Sequence, residues 1–235
     1  MEVLREEFYG RKTLKVAKEL LGKILVREID GKIVAGKIVE TEAYLGVTDK
    51  AAHVYGGKKT ERLIPMYGQG GTAYVYNIYG MYACLNAITE SVGEPQGVLI
   101  RAVEPLIGLD YMANRRCKKP YKKLTKKEDL NLTSGPSKLC MAMDITKRLT
   151  NTLLFDGEMY IVKNDSEIKR MFEKKESPCG KIIKSKRIGI DYAEEARDYL
   201  YRFYYEDNPY VSKKDKKKVL LRCIRRRHRQ NPPSR

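Results

Sequence analysis

Two β-branched runs, Lys23-Ile24-Leu25-Val26-Arg27-Glu28-Ile29 and Lys32 to Ala43, are separated by Asp30-Gly31 alone. Asp-Gly between apolar strands is the two-residue signal of a tight hairpin, because both central residues must take positive φ and these two do so at little cost. The chain is thereby committed early to an antiparallel pair whose second strand is long. With a period of two, Glu40, Glu42 and Tyr44 point to one face and Val39, Thr41 and Ala43 to the other. Gly46 and Asp49 break the strand just beyond Glu42, so His53 returns toward it from a loop.

The remaining elements arrange themselves around this pair. Thr13 reads as the N-cap of a helix from Leu14 to Leu21, with Gly22 as its stop. A glycine-rich loop spans Gly56-Gly57 to Gly70-Gly71. Strands over Tyr74 to Ile78 and Met81 to Ile88 turn at Tyr79-Gly80, and Glu94-Pro95-Gln96-Gly97 turns into a strand over Val98 to Val103. Leu106 to Cys117 reads as a helix, residues 118 to 131 as a lysine-rich surface loop, and Ser134-Gly135-Pro136-Ser137 as the opening of a helix that runs through Met143. Met159 to Val162, Arg187 to Ile190 and Tyr201 to Tyr205 read as strands. No repeat or linker divides this body. Many short strands with helices inserted unevenly predict an α+β fold, a single mixed domain around a mostly antiparallel β-sheet.

Charge sets the domain limits and the class of partner. The chain carries 47 Lys and Arg against 30 Asp and Glu, a net +17. Residues 213–235 account for +10 of this and residues 1–212 for +7. The expectation is a domain over 1–212 and a basic C-terminal tail over 213–235, disordered or partly helical through Val219-Leu220-Leu221 and Ile224. Such a balance favours nucleic acid or an anionic membrane surface over acidic small molecules. Met1-Glu2-Val3-Leu4-Arg5-Glu6-Glu7 is no signal peptide, and no run approaches the ~20 apolar residues of a membrane span. An intracellular protein is expected, cytoplasmic or nucleoid-associated, or nuclear where a nucleus exists. Five cysteines without a C-x-x-C pair read as reduced thiols, and with His228 in the tail only His53 can serve a folded site, so no metal is expected.

Glu42 is the first candidate for chemistry. A carboxylate at a strand end among tyrosines is partly desolvated and more basic than a free one, as a general base requires. The bland alternative is an edge-strand charge facing water, just as His53 alone reads as a structural hydrogen-bonder and the Tyr74/Tyr76 alternation as a packed sheet face. Gly56-Gly57-Lys58-Lys59-Thr60 lacks the glycine spacing and Gly-Lys-Ser/Thr order of a phosphate loop.

The ordered set Val39-Glu40-Thr41-Glu42-Ala43-Tyr44-Leu45-Gly46, Ala51-Ala52-His53, Tyr74-Val75-Tyr76, Tyr79-Gly80-Met81-Tyr82, Asn86, Leu99 to Pro105 and Ser134 to Leu139 resembles the alkyladenine (3-methyladenine) DNA glycosylase family. Similarity in Arg187-Ile188-Gly189-Ile190, Arg202-Phe203 and Pro209 to Ser212 extends the resemblance over residues 8–212. It implies a curved antiparallel sheet and a DNA glycosylase without cofactor that hydrolyses the N-glycosidic bond of alkylated or deaminated purines in double-stranded DNA; a monofunctional enzyme is expected because no lysine matches a family nucleophile and a glutamate-activated water needs no covalent intermediate, and a monomer is expected. By position, Glu42 would activate water, His53 would wall and hydrogen-bond the base pocket, and Tyr44 and Tyr76 would sandwich the extruded base. Tyr79 would fill the gap left in the DNA stack, Asn86 would screen purine substituents, and Arg101 would contact the pocket or a phosphate. Where the family has Thr-x-Arg-Asn, this chain has Thr60-Glu61-Arg62-Leu63. Two rival readings stand beside it: a non-catalytic reader of flipped or single-stranded bases, which keeps the tyrosines and the charge but does not need Glu42 beside His53, and a basic RNA-modifying enzyme, which shares the pocket logic.

Overall fold

Asp30 and Gly31 both take positive φ (48° and 73°) and join β1 (Ile24–Ile29) to β2 (Lys32–Tyr44) in the expected register, Ile29 opposite Lys32. The computed structural model describes residues 1–215. Its sheet also contains β3 (Ala73–Ile78), β4 (Tyr82–Thr89), β5 (Gln96–Ile107), β6 (Met159–Val162), β7 (Ile182–Ser185) and β8 (Arg202–Tyr205). The order β3-β4-β5-β2-β1-β6 is antiparallel throughout, and β7 and β8 branch from β2. The expected α+β class is therefore correct, a single domain with a curled antiparallel sheet flanked by helices.

The length of β2 produces the branching. One side pairs with β5 along nearly the whole strand, while the other pairs with β1 over its first half and with β8 at Glu40, Thr41 and Glu42. Register shifts at Ala35/Gly36, Ile38/Glu40 and Glu40/Thr41 mark bulges, which bend the strand and increase its twist. At Gly36 a Cβ would meet the Glu104 carbonyl oxygen and Val103 at 2.8 Å, so glycine lets the two long strands close at the bend. Glu42 consequently lies between β5 and β8, in the sheet interior, and the edge-strand alternative fails.

The helices are α1 (Glu6–Tyr9), α2 (Thr13–Glu19), α3 (Leu109–Cys117), α4 (Lys126–Leu130), α5 (Pro136–Ala142) and α6 (Ser166–Lys169). Val16, Ala17 and Leu20 pack with Val39, Ile100, Leu139 and Ala142 in the main core, and Thr41 Oγ1 donates to the Ala17 carbonyl on that face. Glu40 and Glu42 occupy the other face. A second apolar cluster (Ala52, Val54, Leu63, Met66, Tyr74, Ile88) lies there with Tyr44 and Tyr76 at its margin. Leu63 thus packs beneath the tyrosines.

Several expected boundaries move, each for a local reason. Thr13 is the first helical residue and does not cap; its hydroxyl lies 2.8 Å from both Thr89 Oγ1 and Gln96 Oε1 and pins α2 to β4 and β5. The strand after the Pro95 turn runs on to Ile107 because Ala35 of the long β2 partners it there, which delays α3 to Leu109. The lysine-rich loop contains α4, closed by a Thr125/Glu128 capping box whose T-x-x-E pattern stands in the sequence. Arg187 to Ile190 is not a strand; the strand paired with β8 lies earlier, at Ile182–Ser185. No helix among the described residues is long and apolar enough to cross a membrane. The tail segment Val219 to Ile224 lies outside the described residues.

Candidate active site

Six elements converge on one cavity of about 510 Å³. Tyr44 comes from the end of β2, His53 from the loop after it, Tyr76 from β3, Asn86 from β4, Arg101 from β5, and Ile188 to Ile190 from the segment after β7. A volume of this size suits a small organic ligand, and the wall is largely aromatic and aliphatic with few polar groups, as in most such sites. Six of the seven residues picked from the sequence line this space. The seventh, Glu42, stands directly behind Tyr44 and Arg101 and is 0% exposed.

Three groups hold the Glu42 carboxylate, and two strands hold its backbone. Oε2 accepts from the Tyr44 hydroxyl at 2.9 Å and faces Arg101 Nη1 at 3.3 Å; Oε1 accepts from the Ile188 amide at 2.8 Å; the flanking β5 and β8 fix its backbone. An ionised carboxylate offers about four acceptor positions. Among the described residues two of these are filled by hydrogen bonds, one on each oxygen, and Arg101 adds an ion pair on the Oε2 side. Burial, then Glu42, raise the Tyr44 pKa well above the ordinary range, so Tyr44 remains a donor. Burial, the largest single influence, works against the Arg101 charge, but Glu42 and Glu40 outweigh it and raise its pKa.

The aromatic wall is ordered. The rings of Tyr74 and Tyr76 stack at 5.2 Å, and His53 meets Tyr76 edge-on at 4.5 Å between centroids. His53 Nδ1 lies 3.1 Å from the Tyr74 hydroxyl. Burial first, and the charge of Arg62 second, lower the His53 pKa, which keeps the ring neutral at neutral pH. Asn86 Nδ2 donates to the Tyr74 carbonyl, which fixes which end of the amide is spoken for. At the rim, Tyr79 is 89% exposed at the tip of the β3–β4 hairpin, at φ 49° beside Gly80 at φ 76°.

A second set of groups, given no role from the sequence, supports the first. Asp49 accepts both terminal nitrogens of Arg187 at 2.5 and 2.8 Å, and also the amides of Leu45 and Ala51, which closes the loop that carries His53. Arg187 lies 4.8 Å over the Tyr44 ring and presents the next residue's amide to Glu42. Glu40, also 0% exposed, accepts from Arg101 Nε at 3.3 Å, Arg202 Nη1 at 2.9 Å and the Ser212 amide at 2.7 Å. The alternation of Glu40 with Glu42 shows that both share a face; nothing in the chain order shows that Arg187, Arg202 and Ser212 reach them.

A fully buried carboxylate directly behind an aromatic cavity of small-molecule size is suited to acid–base chemistry beside a flat ring. The chain matches, over residues 7–209, the family described as methylpurine-DNA glycosylase. Proteins named as 3-methyladenine DNA glycosylases are similar along nearly their whole length. That of Clostridium tetani is 55% identical over 212 residues, 90% of this chain and 99% of the relative. That of Clostridium novyi is 53% identical over 214 residues, 91% of this chain and all of the relative. That of Desulfitobacterium hafniense is 51% identical over 214 residues, again 91% and the whole relative.

Proposed function

The chain belongs to the methylpurine-DNA glycosylase family and is a DNA glycosylase, and on that premise we propose that it excises alkylated and deaminated purines from double-stranded DNA by base flipping and a water activated by Glu42. The observation that carries this reading is the environment of Glu42: fully buried, held by two hydrogen bonds and an ion pair, directly behind the Tyr44 and Arg101 that line the aromatic cavity. A reader of bases without catalysis has no use for a carboxylate held in this way. The substrate proposed is duplex DNA with a damaged purine, the working form a monomer, and no lysine is assigned a covalent role.

An N-glycosidic bond inside a duplex is out of reach, so the damaged nucleotide must leave the stack at a cost of a few kcal/mol, least for a weakened pair. Tyr79, on its exposed turn, fills the vacated position. Tyr44 and Tyr76 take the two faces of the base, and stacking on such rings returns ~1–3 kcal/mol per base. An alkylated purine is cationic, which adds attraction to the ring faces. His53, neutral, lies against the base edge, and Asn86 screens purine substituents. Water accepted at Glu42 Oε1 attacks C1′ as the C1′–N9 bond breaks; its proton goes to Glu42 and the bonding pair leaves with the purine. For a cationic base that pair neutralises the ring, whereas hypoxanthine must also take up a proton. Arg101 faces Glu42 and serves the carboxylate, which makes a phosphate contact from it unnecessary.

Glu42→Gln keeps the size and removes the base. Single-turnover excision of hypoxanthine or 3-methyladenine, read as alkali-labile abasic sites, should fall by at least ~10²-fold while lesion affinity stays within a few fold. Excision by the variant at the wild-type rate would rule out Glu42 as the activating group.

A further inference from the structure

Resting on the reading of Glu42 as the water-activating group, we infer that Glu40, the second buried carboxylate of β2, is a positioning residue that holds Arg101 partly away from Glu42 and so keeps Glu42 a competent base. Arg101 is shared between the two carboxylates. Its Nε meets Glu40 Oε1 at 3.3 Å, its Nη1 meets Glu42 Oε2 at 3.3 Å, and its Nη2 reaches the Ser212 hydroxyl at 3.5 Å. A guanidinium with only one carboxylate to pair with takes it fork to fork, through two parallel hydrogen bonds to both oxygens. That arrangement at Glu42 would bring a guanidinium nitrogen onto Oε1, where only the Ile188 amide now donates among the described residues, and so compete with a water there. Glu40 prevents it by engaging the Nε edge of the same group.

The second part of the argument is charge. The buried cluster contains two carboxylates, Glu40 and Glu42, against two guanidiniums, Arg101 and Arg202. The other groups that face Glu42 add little net charge. Tyr44 and Tyr76 have pKa values raised, first by burial, and remain neutral; the Cys84 thiol is likewise raised by burial. Arg187, on the segment after β7, is paired with Asp49. Around Glu40 stand Arg101, Arg202 and the amide of Ser212. Removing the Glu40 charge makes the cluster one unit more positive, with Arg202 left to the half-exposed Asp215 and Arg101 to Glu42 alone, in surroundings where Coulomb forces are stronger than in water. The Glu42 anion is then held harder and takes a proton from water less readily.

Glu40→Gln tests this directly, and neither guanidinium is orphaned by it: Arg101 retains Glu42, and Arg202 retains Asp215, Ser185 and two carbonyl oxygens. Single-turnover excision of 7-methylguanine should fall about tenfold or more with lesion affinity nearly unchanged, and the low-pH limb of the rate profile should move to lower pH by about half a unit or more. Arg202→Gln removes a positive charge from the same cluster and should move that limb the opposite way, to higher pH; it carries the test if Glu40→Gln melts well below the wild type. A merely structural role lowers melting temperature and active fraction but leaves the limb where it was. Limbs that coincide with the wild type, or that move in the same direction in both variants, overturn the inference. Glu42→Gln run in parallel separates the two readings: if it excises normally, the assignment of Glu42 itself fails; if it is inactive while the Glu40 limb is unmoved, only the role of Glu40 fails.

Discussion

His53 illustrates what a single residue contributes at this site. Its ring touches Tyr76 edge-on, bonds the Tyr74 hydroxyl and is held neutral by burial and by Arg62. The consequence for stability has a definite sign. The unfolded chain takes up a proton on this side chain near its ordinary 6.5, while the folded chain resists until lower pH. Between those values the unfolded state binds more protons, so stability falls as pH falls. Thermal melts from about pH 7 to pH 5 should therefore decline more steeply for the wild type than for His53→Gln, which has no such group to charge. Equal slopes would mean that His53 titrates alike in both states. Asp49 offers a sharper case, because removing one partner of a buried ion pair costs about 3–5 kcal/mol. Asp49→Asn should lower the melting temperature by several degrees and slow excision together, since Arg187 also sets the Ile188 amide against Glu42. Residues such as Glu42, Tyr44 and His53 were legible because they cluster within one short stretch that carries the family resemblance. Their supports were not. Asp49 and Arg187 are 138 residues apart, and Glu40 and Arg202 are 162 apart, and no periodicity spans such distances.

The hairpin of β3 and β4 presents Tyr79 to solvent on a backbone that a tyrosine takes up only at some cost. Left-handed φ at a non-glycine residue is unfavourable by about 1–2 kcal/mol. Such a cost is tolerated where the side chain is needed in place, and an exposed ring at 89% has no packing to justify it. Tyr79→Gly should accordingly leave the melting temperature unchanged or raise it, yet weaken lesion binding and slow excision most where the lesion is well paired, because nothing then fills the vacated stack. Equal losses on paired and bulged lesions would make Tyr79 a structural tyrosine. At this scale the sequence is informative wherever local chemistry decides. Asp30-Gly31 fixes the first hairpin, Gly135-Pro136 opens α5, and the strands at Met159 and Tyr201 stand close to where their composition puts them. It is silent where a distant partner decides, as for the length of β5, the position of β7 and the hydroxyl of Thr13.

Across the whole molecule, charge is divided unequally. Residues 216–235 hold nine Lys and Arg and no acidic residue, more net charge than all of residues 1–215. Basic groups laid along DNA release counterions, and each phosphate neutralised steepens the salt dependence of binding by ~0.9 in log–log slope, without reading any base. A chain ending at Asp215 should bind undamaged DNA more weakly and with a shallower slope, yet excise bound lesions at an unchanged single-turnover rate. The cut must not fall earlier. Arg202 is held by the Lys213 carbonyl and by Asp215, and Glu40 by the Ser212 amide. A chain ending at Val211 should lose excision even on lesions it binds. An identical salt slope with and without residues 216–235 would show that they touch no DNA.

That strap across Glu40 and Arg202 also gives the site a direction in time. A ribosome releases β2, the aromatic hairpin and β5 in the first half of synthesis, so the parts that would grip a base are available early. Ser212, Lys213 and Asp215, which close the carboxylate cluster, emerge about a hundred residues later. On the roles proposed for Glu40 and Glu42, a nascent chain, or one clipped by a protease before this point, should bind a damaged base without being able to release it.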